Sequence, residues 1–196
     1  MELEHHGIFL SIPENVYPPA EDSFMLADAV QGLSGNILEV GCGCGIVSLS
    51  CAKSAEEVVG VDINPDAVEC SKQNAIRNNI TNAKFTQSNL FSNINGKFDA
   101  ILFNPPYLPT DKRERMKGDI NHAFDGGEDG RKVLDLFLEE FDPYLKPGGT
   151  LLLVQSSLNN YEKTASILEN KGFSVKVINE KSFFFEKLFI IQATKA

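Results

Sequence analysis

Asn104-Pro105-Pro106-Tyr107 combines residue types that suit one kind of chemistry. The two prolines have no N–H to donate and a fixed φ, so the Pro105 carbonyl can be held outward as an acceptor. The Asn104 amide oxygen is a second acceptor beside it. Together they can grip the two hydrogens of an NH₂ group and aim its nitrogen lone pair at an electrophile. Tyr107 offers a flat face to a planar amide or base. The lone pair of such a nitrogen is delocalised, so it is a weak nucleophile. It reacts with a partner that is already activated, such as the methyl of a sulfonium. No strong base is needed, and the rate comes from in-line positioning, worth about 7–11 kcal/mol at best. A rigid proline turn is the purely structural alternative.

Three other segments suit a nucleoside that would carry such a methyl. In Glu39-Val40-Gly41-Cys42-Gly43-Cys44-Gly45, alternate glycines let the backbone turn tightly and approach a ligand closely. The helix that follows points free N–H groups at it. A dinucleotide fingerprint would need a third glycine at position 46, where this chain has Ile46, so a ligand without a pyrophosphate is expected. Asp62 can accept from both hydroxyls of a ribose, or merely cap the helix that starts at Pro65. Ser88-Asn89-Leu90-Phe91 can hold an adenine by a side-chain oxygen and a backbone amide, or be a plain polar loop.

The elements that must position these segments alternate along the chain. Residues 37–40, 58–62, 83–87, 98–103 and 150–155 read as strands. Residues 24–33, 46–53, 65–78, 131–144 and 161–170 read as helices. Asn64 is a plausible cap with Pro65 in the first turn, and Asp22 or Ser23 could cap the leading helix. Lys146-Pro147-Gly148-Gly149 reads as a turn. Alternation of this kind argues for a mostly parallel sheet with helices on both faces. Residues 173–178 and 183–194 follow with no helix between them, so they form an antiparallel hairpin at one side. The expected fold is therefore α/β: one Rossmann-like domain spanning 1–196, with residues 1–15 as a lead-in and a seven-stranded sheet. Ligands of such sheets bind beyond the carboxyl ends of the strands, where all four segments lie.

Composition narrows the partners. The 196 residues carry a formal net charge of −9, the reverse of the basic face expected for a bare nucleic-acid ligand. Lys112, Arg113, Arg115 and Lys117 form a basic cluster after the reaction segment, suited to RNA, to a protein or simply to solvent. No run approaches the roughly 20 apolar residues needed to cross a bilayer, and the polar start does not resemble a secretory signal, so a cytoplasmic protein is expected. Cys42, Cys44, Cys51 and Cys70 lack metal-ligand spacing and the histidines are not placed as partners, so reduced thiols and no metal are expected.

These segments resemble the HemK family of N-methyltransferases. Val16-Tyr17-Pro18-Pro19-Ala20-Glu21-Asp22-Ser23 and Ala123-Phe124-Asp125-Gly126-Gly127-Glu128-Asp129-Gly130-Arg131 are similar to motifs of its short eukaryotic and archaeal branch, in the same order along the chain. The resemblance implies S-adenosylmethionine as cofactor and, as substrate, the glutamine of the Gly-Gly-Gln tripeptide in a class I translation release factor. It implies that Ser23, Glu39, Gly41, Gly43, Asp62, Asn89, Leu90 and Asn104 contact the cofactor, and that Asn104, Pro105, Pro106 and Tyr107 hold the glutamine amide. It also implies a small zinc-binding activator protein. The strand Ala83–Gln87 is expected at the sheet edge, where such a partner could add a strand, with residues 58–61 supplying apolar contact. The chain departs from the family with Asn89 in place of the usual aspartate and Pro18 in place of a common acidic residue. Methylation of an adenine in RNA or DNA, or of a protein lysine, remains open at this point, as does a non-catalytic scaffold that only binds the cofactor.

Overall fold

In the computed structural model, residues 1–107 and 126–195 are described. The basic cluster Lys112–Lys117 and Ala123–Asp125 lie outside the described residues. Two short strands, β1 (Glu2–His5) and β2 (Ile8–Ser11), form an amino-terminal hairpin. Helix α1 (Glu21–Ala29) follows. Then come β3 (Asn36–Val40), α2 (Ile46–Cys51), β4 (Glu57–Asp62), α3 (Pro65–Arg77), β5 (Ala83–Gln87) and β6 (Phe98–Phe103). Past the undescribed stretch lie α4 (Lys132–Glu140), β7 (Leu145–Ser156), α5 (Tyr161–Asn170), β8 (Phe173–Ser182) and β9 (Lys187–Lys195).

The main sheet has seven strands in the order β5-β4-β3-β6-β7-β9-β8. The first five pair in parallel, and β9 runs antiparallel to both β7 and β8. This is the expected α/β architecture with its carboxyl-terminal hairpin. Side chains alternate between two cores, one on each face, as the pleat requires. Ile37, Ala100, Leu102, Leu152 and Val154 join the core beneath α1, α2 and α3. Leu38, Val40, Ile101, Phe103, Leu151 and Leu153 join the other, beneath α4 and α5. Burial on both faces explains why these strands are nearly continuous apolar runs. Phe103 stacks on Phe137 of α4 with ring centroids 4.3 Å apart, and Phe137 stacks in turn on Phe141. Full burial of one such side chain contributes about 1.5–3 kcal/mol. The stack fixes the end of β6, from which the reaction segment leaves.

Several local expectations are corrected. The lead-in itself carries structure, a hairpin that turns through His6 and Gly7, both at positive φ. It packs on α3, where the Phe9 and Ser11 N–H groups donate to Asn78 and Asn74 at 2.8 and 2.9 Å. Helix α1 starts three residues earlier than expected. Its cap position is Ala20, without a side-chain bond, and Asp22 and Ser23 sit inside the first turn. Pro19 keeps the residue before it extended, so the helix can begin only after it. Helix α2 is two residues shorter than expected. Helix α4 stops at Glu140, and Asp142–Tyr144 form a separate 3₁₀ turn, because Pro143 cannot continue the backbone ladder. Lys146–Gly149 lie within β7, as an irregularity of its pairing with β6 between Phe98 and Ala100. Strand β8 runs to Ser182, and a turn at Phe183–Glu186, closed by a 2.7 Å backbone bond, precedes β9. Asn64 does cap α3, accepting from the Asp66 N–H at 2.9 Å.

Candidate active site

The segments that follow β3, β4, β5 and β6 converge on one cavity of about 210 Å³ at the carboxyl ends of the parallel strands. Ser23, Glu39, Gly41, Gly43, Asp62, Asn89, Leu90, Asn104, Pro105, Pro106 and Tyr107 all line it, so the residues expected to contact cofactor or substrate are brought together.

The glycine loop is held in shape from three sides. Gly41, Gly43 and Gly45 have φ of 70°, 54° and 87°, a left-handed backbone that disfavours any residue with a Cβ. Glu39, buried at the end of β3, accepts from the Ser48 N–H of α2 at 2.8 Å and from the Ser48 hydroxyl. Burial pushes the Glu39 carboxyl up to about 8; the Ser48 bonds oppose the shift and the charge of Asp62 adds to it. From α3, Ser71 donates to the Gly43 carbonyl and Asn74 to the Cys44 carbonyl, each at 2.9 Å. Both are fully buried and neither was singled out from the sequence. Their signal was two small polar residues three apart on the otherwise apolar face of the 65–78 helix. Asn74 also accepts from β2, so it couples the amino-terminal hairpin to the loop.

Asp62 closes the loop from β4. One carboxylate oxygen accepts from the Gly43 N–H and the other from the Asn64 N–H, both at 2.9 Å. After β5, Leu90 has φ 47°, rare for a residue with a Cβ, and Ser88 braces it by donating to the Leu90 carbonyl at 2.8 Å. Asn89 is exposed at the rim, and its N–H donates to Ser92 at 3.2 Å.

Asn104 leaves β6 with its side-chain oxygen buried and, among the described residues, without a hydrogen-bond partner. Such an acceptor costs stability unless something donates to it. The Tyr107 hydroxyl is hydrogen-bonded to Asp22, and its pKa is raised by burial, then by the charges of Asp22, Glu186 and Tyr17. Tyr17, at the same wall, is pushed up to about 12 by burial and by Asp22. Both therefore remain neutral phenols. Asp22, 4% exposed, accepts from the Ser23 N–H at 2.7 Å and carries the Tyr107 contact, a role beyond the capping expected of it. The wall thus holds the acidic side chains Asp22, Glu39 and Asp62, and among the described residues no Lys, Arg or His lines it.

The motif that ends in Gly130-Arg131 supports the same wall from behind. Gly130 lies so close that a Cβ there would meet the Tyr107 carbonyl oxygen at 2.2 Å. Arg131, 2% exposed, donates to the Asn159 and Asn160 carbonyls at 2.6 and 3.0 Å and to Thr164 at 2.9 Å, and pairs with Asp135. The four cysteines are buried free thiols. Burial pushes Cys44 and Cys51 up to about 12, so they act as packing groups. His5 and His6 both bond Asp28.

Comparison with known proteins identifies the family. The model of the methyltransferase small domain family matches residues 21–185. A chain from Methanocaldococcus jannaschii, provisionally named a protein N5-glutamine methyltransferase, is 47% identical over 195 residues, 98% of each chain. Methyltransferase HEMK2 of Homo sapiens is 31% identical over 194 residues, 93% of this chain and 91% of that one. Among solved structures, the E. cuniculi Mtq2–Trm112 complex, responsible for methylation of the translation termination factor eRF1, has a chain 27% identical. It superposes with a TM-score of 0.73 over 93% of this chain and 99% of its own. This chain therefore belongs to the methyltransferase small domain family and, within it, to the HemK-like N-methyltransferases.

Proposed function

We propose that the protein uses S-adenosylmethionine to methylate the side-chain nitrogen of a protein glutamine, and that its substrate is the Gly-Gly-Gln glutamine of a class I release factor. The buried, unpartnered Asn104 oxygen in an acidic cavity carries the reading. A primary amide offers the N–H that this oxygen lacks, and a cationic cofactor suits a wall that holds the acidic side chains Asp22, Glu39 and Asp62 and, among the described residues, no basic one. The names of the M. jannaschii and E. cuniculi relatives point to the same acceptor class.

The residues divide the work. The Asp62 carboxylate, already oriented by two backbone N–H groups, can also accept from a ribose diol, because a carboxylate has about four acceptor positions. Leu90 and Asn89 would receive the adenine edge, with Asn89 supplying a neutral acceptor where the family has a charged one. Glu39 and Ser23 flank the loop of Gly41 and Gly43. When bound, S-adenosylmethionine supplies the activated methyl on its sulfonium. Asn104 and the Pro105 carbonyl would accept from the amide NH₂ and turn its lone pair toward the donor, while Tyr107 packs against the amide plane. Pro106 keeps the turn rigid.

Strand β5 is one edge of the main sheet, and it would pair with a small activator protein; the E. cuniculi relative is likewise found in a complex, with Trm112. Val58 and Val61 are fully buried, so they are not available to such a partner as expected; the edge itself offers β5 backbone and the ion pair Lys84–Glu57.

The test is transfer of labelled methyl to a release factor, to the same factor with its Gly-Gly-Gln glutamine replaced by asparagine, and to bulk RNA. Label is expected only on the intact factor. Label on RNA, or retained label on the replaced factor, would reject the glutamine assignment.

A further inference from the structure

A second cluster lies away from the cavity, where the amino-terminal hairpin meets the last turn of α1. His5 ends β1, His6 begins the turn, and Asp28 projects from α1. The Nε2 atoms of both histidines lie 3.0 Å from the same Asp28 oxygen, and the three ligand atoms all fall within 4.8 Å of one another. Two imidazoles and one carboxylate are a donor set for zinc and its neighbours rather than for magnesium or calcium, which prefer oxygen alone. Zinc bonds to such ligands are about 2.0–2.1 Å long, which sets a ligand-to-ligand spacing near 3.3 Å in a tetrahedron. The two nitrogen–oxygen spacings are already close to that value.

The cluster is also braced. The His5 ring packs against Phe24 of α1 with centroids 4.9 Å apart, and its side chain is only 18% exposed. The His6 backbone is at φ 48°, and its carbonyl accepts from Lys53 at 2.6 Å. The Glu4 carboxylate accepts from the Gly7 N–H in the same turn. His6 and Asp28 are open, with side chains 60% and 51% exposed, so an ion can reach the site and keep water as a further ligand.

We propose that His5, His6 and Asp28 form a binding site for a zinc-type divalent cation that clamps the amino-terminal hairpin to α1. The clamp matters because α1 lines the cavity and the hairpin is linked to the cavity's glycine loop. Helix α1 carries Asp22 and Ser23 in its first turn, and β2 reaches the glycine loop through Asn74. The site does not depend on which substrate the cavity takes.

Titration of the full, reduced chain with a zinc salt tests it by calorimetry, and with cobalt by absorption. One equivalent of zinc is expected to bind at submillimolar concentration and to raise Tm. His6→Ala and the near-isosteric Asp28→Asn are expected to weaken binding at least about tenfold, the loss that removing even an outer partner of a metal site produces, and to abolish the rise in Tm. Absence of stoichiometric binding, equal binding by the variants, or cobalt bands typical of thiolate ligation would each overturn the proposal.

Discussion

At the scale of single residues, the proposed mechanism separates holding the donor from aiming the acceptor. Asp62 belongs to the first task. Asp62→Ala removes the partner of two backbone N–H groups as well as of the ribose, so weaker cofactor binding by about 1–3 kcal/mol is expected in calorimetry. Asn104 belongs to the second. Asn104→Ala is expected to keep cofactor affinity within a few-fold while turnover falls by orders of magnitude; equal turnover would remove Asn104 from the mechanism. Glu39 makes a separate prediction about pH. Its carboxyl is raised from 4.5 to about 8 in the folded chain by burial. The folded state therefore binds the proton more tightly than the unfolded one, and stability falls as pH rises from about 4.5 to 8, then levels off. Glu39→Gln, which cannot ionise, should flatten that slope. Urea melts of the cofactor-free proteins across this range check it, and parallel slopes for the two chains would refute it.

At the scale of elements, each catalytic segment depends on a neighbour remote in sequence. The glycine loop needs Ser71 and Asn74 of α3. The end of β6 needs Phe137 of α4. Tyr107 needs Gly130, which has φ 70° and no room for a Cβ. Gly130→Ala would force the Tyr107 carbonyl to move and would strain a left-handed backbone, together about 1–3 kcal/mol. Lower Tm and lower turnover with nearly unchanged cofactor affinity are expected, since Gly130 backs the acceptor wall and not the donor pocket. A Tm and turnover equal to those of the parent would show that the contact relaxes freely.

At the scale of the whole molecule, the sheet leaves β5 at one edge and β8 at the other. Edge strands carry unpaired backbone groups and invite a partner. Strand β5 is short and close to the donor end of the cavity, since Asn89 and Leu90 follow it directly. Co-expression with a small zinc-binding activator from the same source, followed by size-exclusion chromatography, is expected to give one complex with an activity above that of the isolated chain. A proline at Phe85, in the middle of β5, should weaken the complex. Separate elution together with full activity of the isolated chain would mean that the enzyme works alone.

Much of this was legible in the sequence because it is local. The strands 83–87 and 98–103, the helix 161–170 and the Asn64 cap are set by apolar periodicity and by the chemistry of caps and prolines, and they appear as read. Glycines at alternate positions after an apolar run, an acid at the end of the next strand and Asn-Pro-Pro-Tyr after another mark the cavity wall, because a parallel sheet puts all its strand ends on one side. Only the tertiary structure decided which polar residues hold that wall. Ser71, Asn74, Asp22 and Arg131 look like ordinary helix or loop residues in sequence, and their roles come from partners that folding brings to them. The amino-terminal hairpin escaped for a related reason: its strands are short, and Ile8 and Leu10 are buried only because α2, α3 and the rest of that core lie beneath them. The joint contact of His5 and His6 with Asp28, more than 20 residues away, likewise exists only once β1 has folded back onto α1.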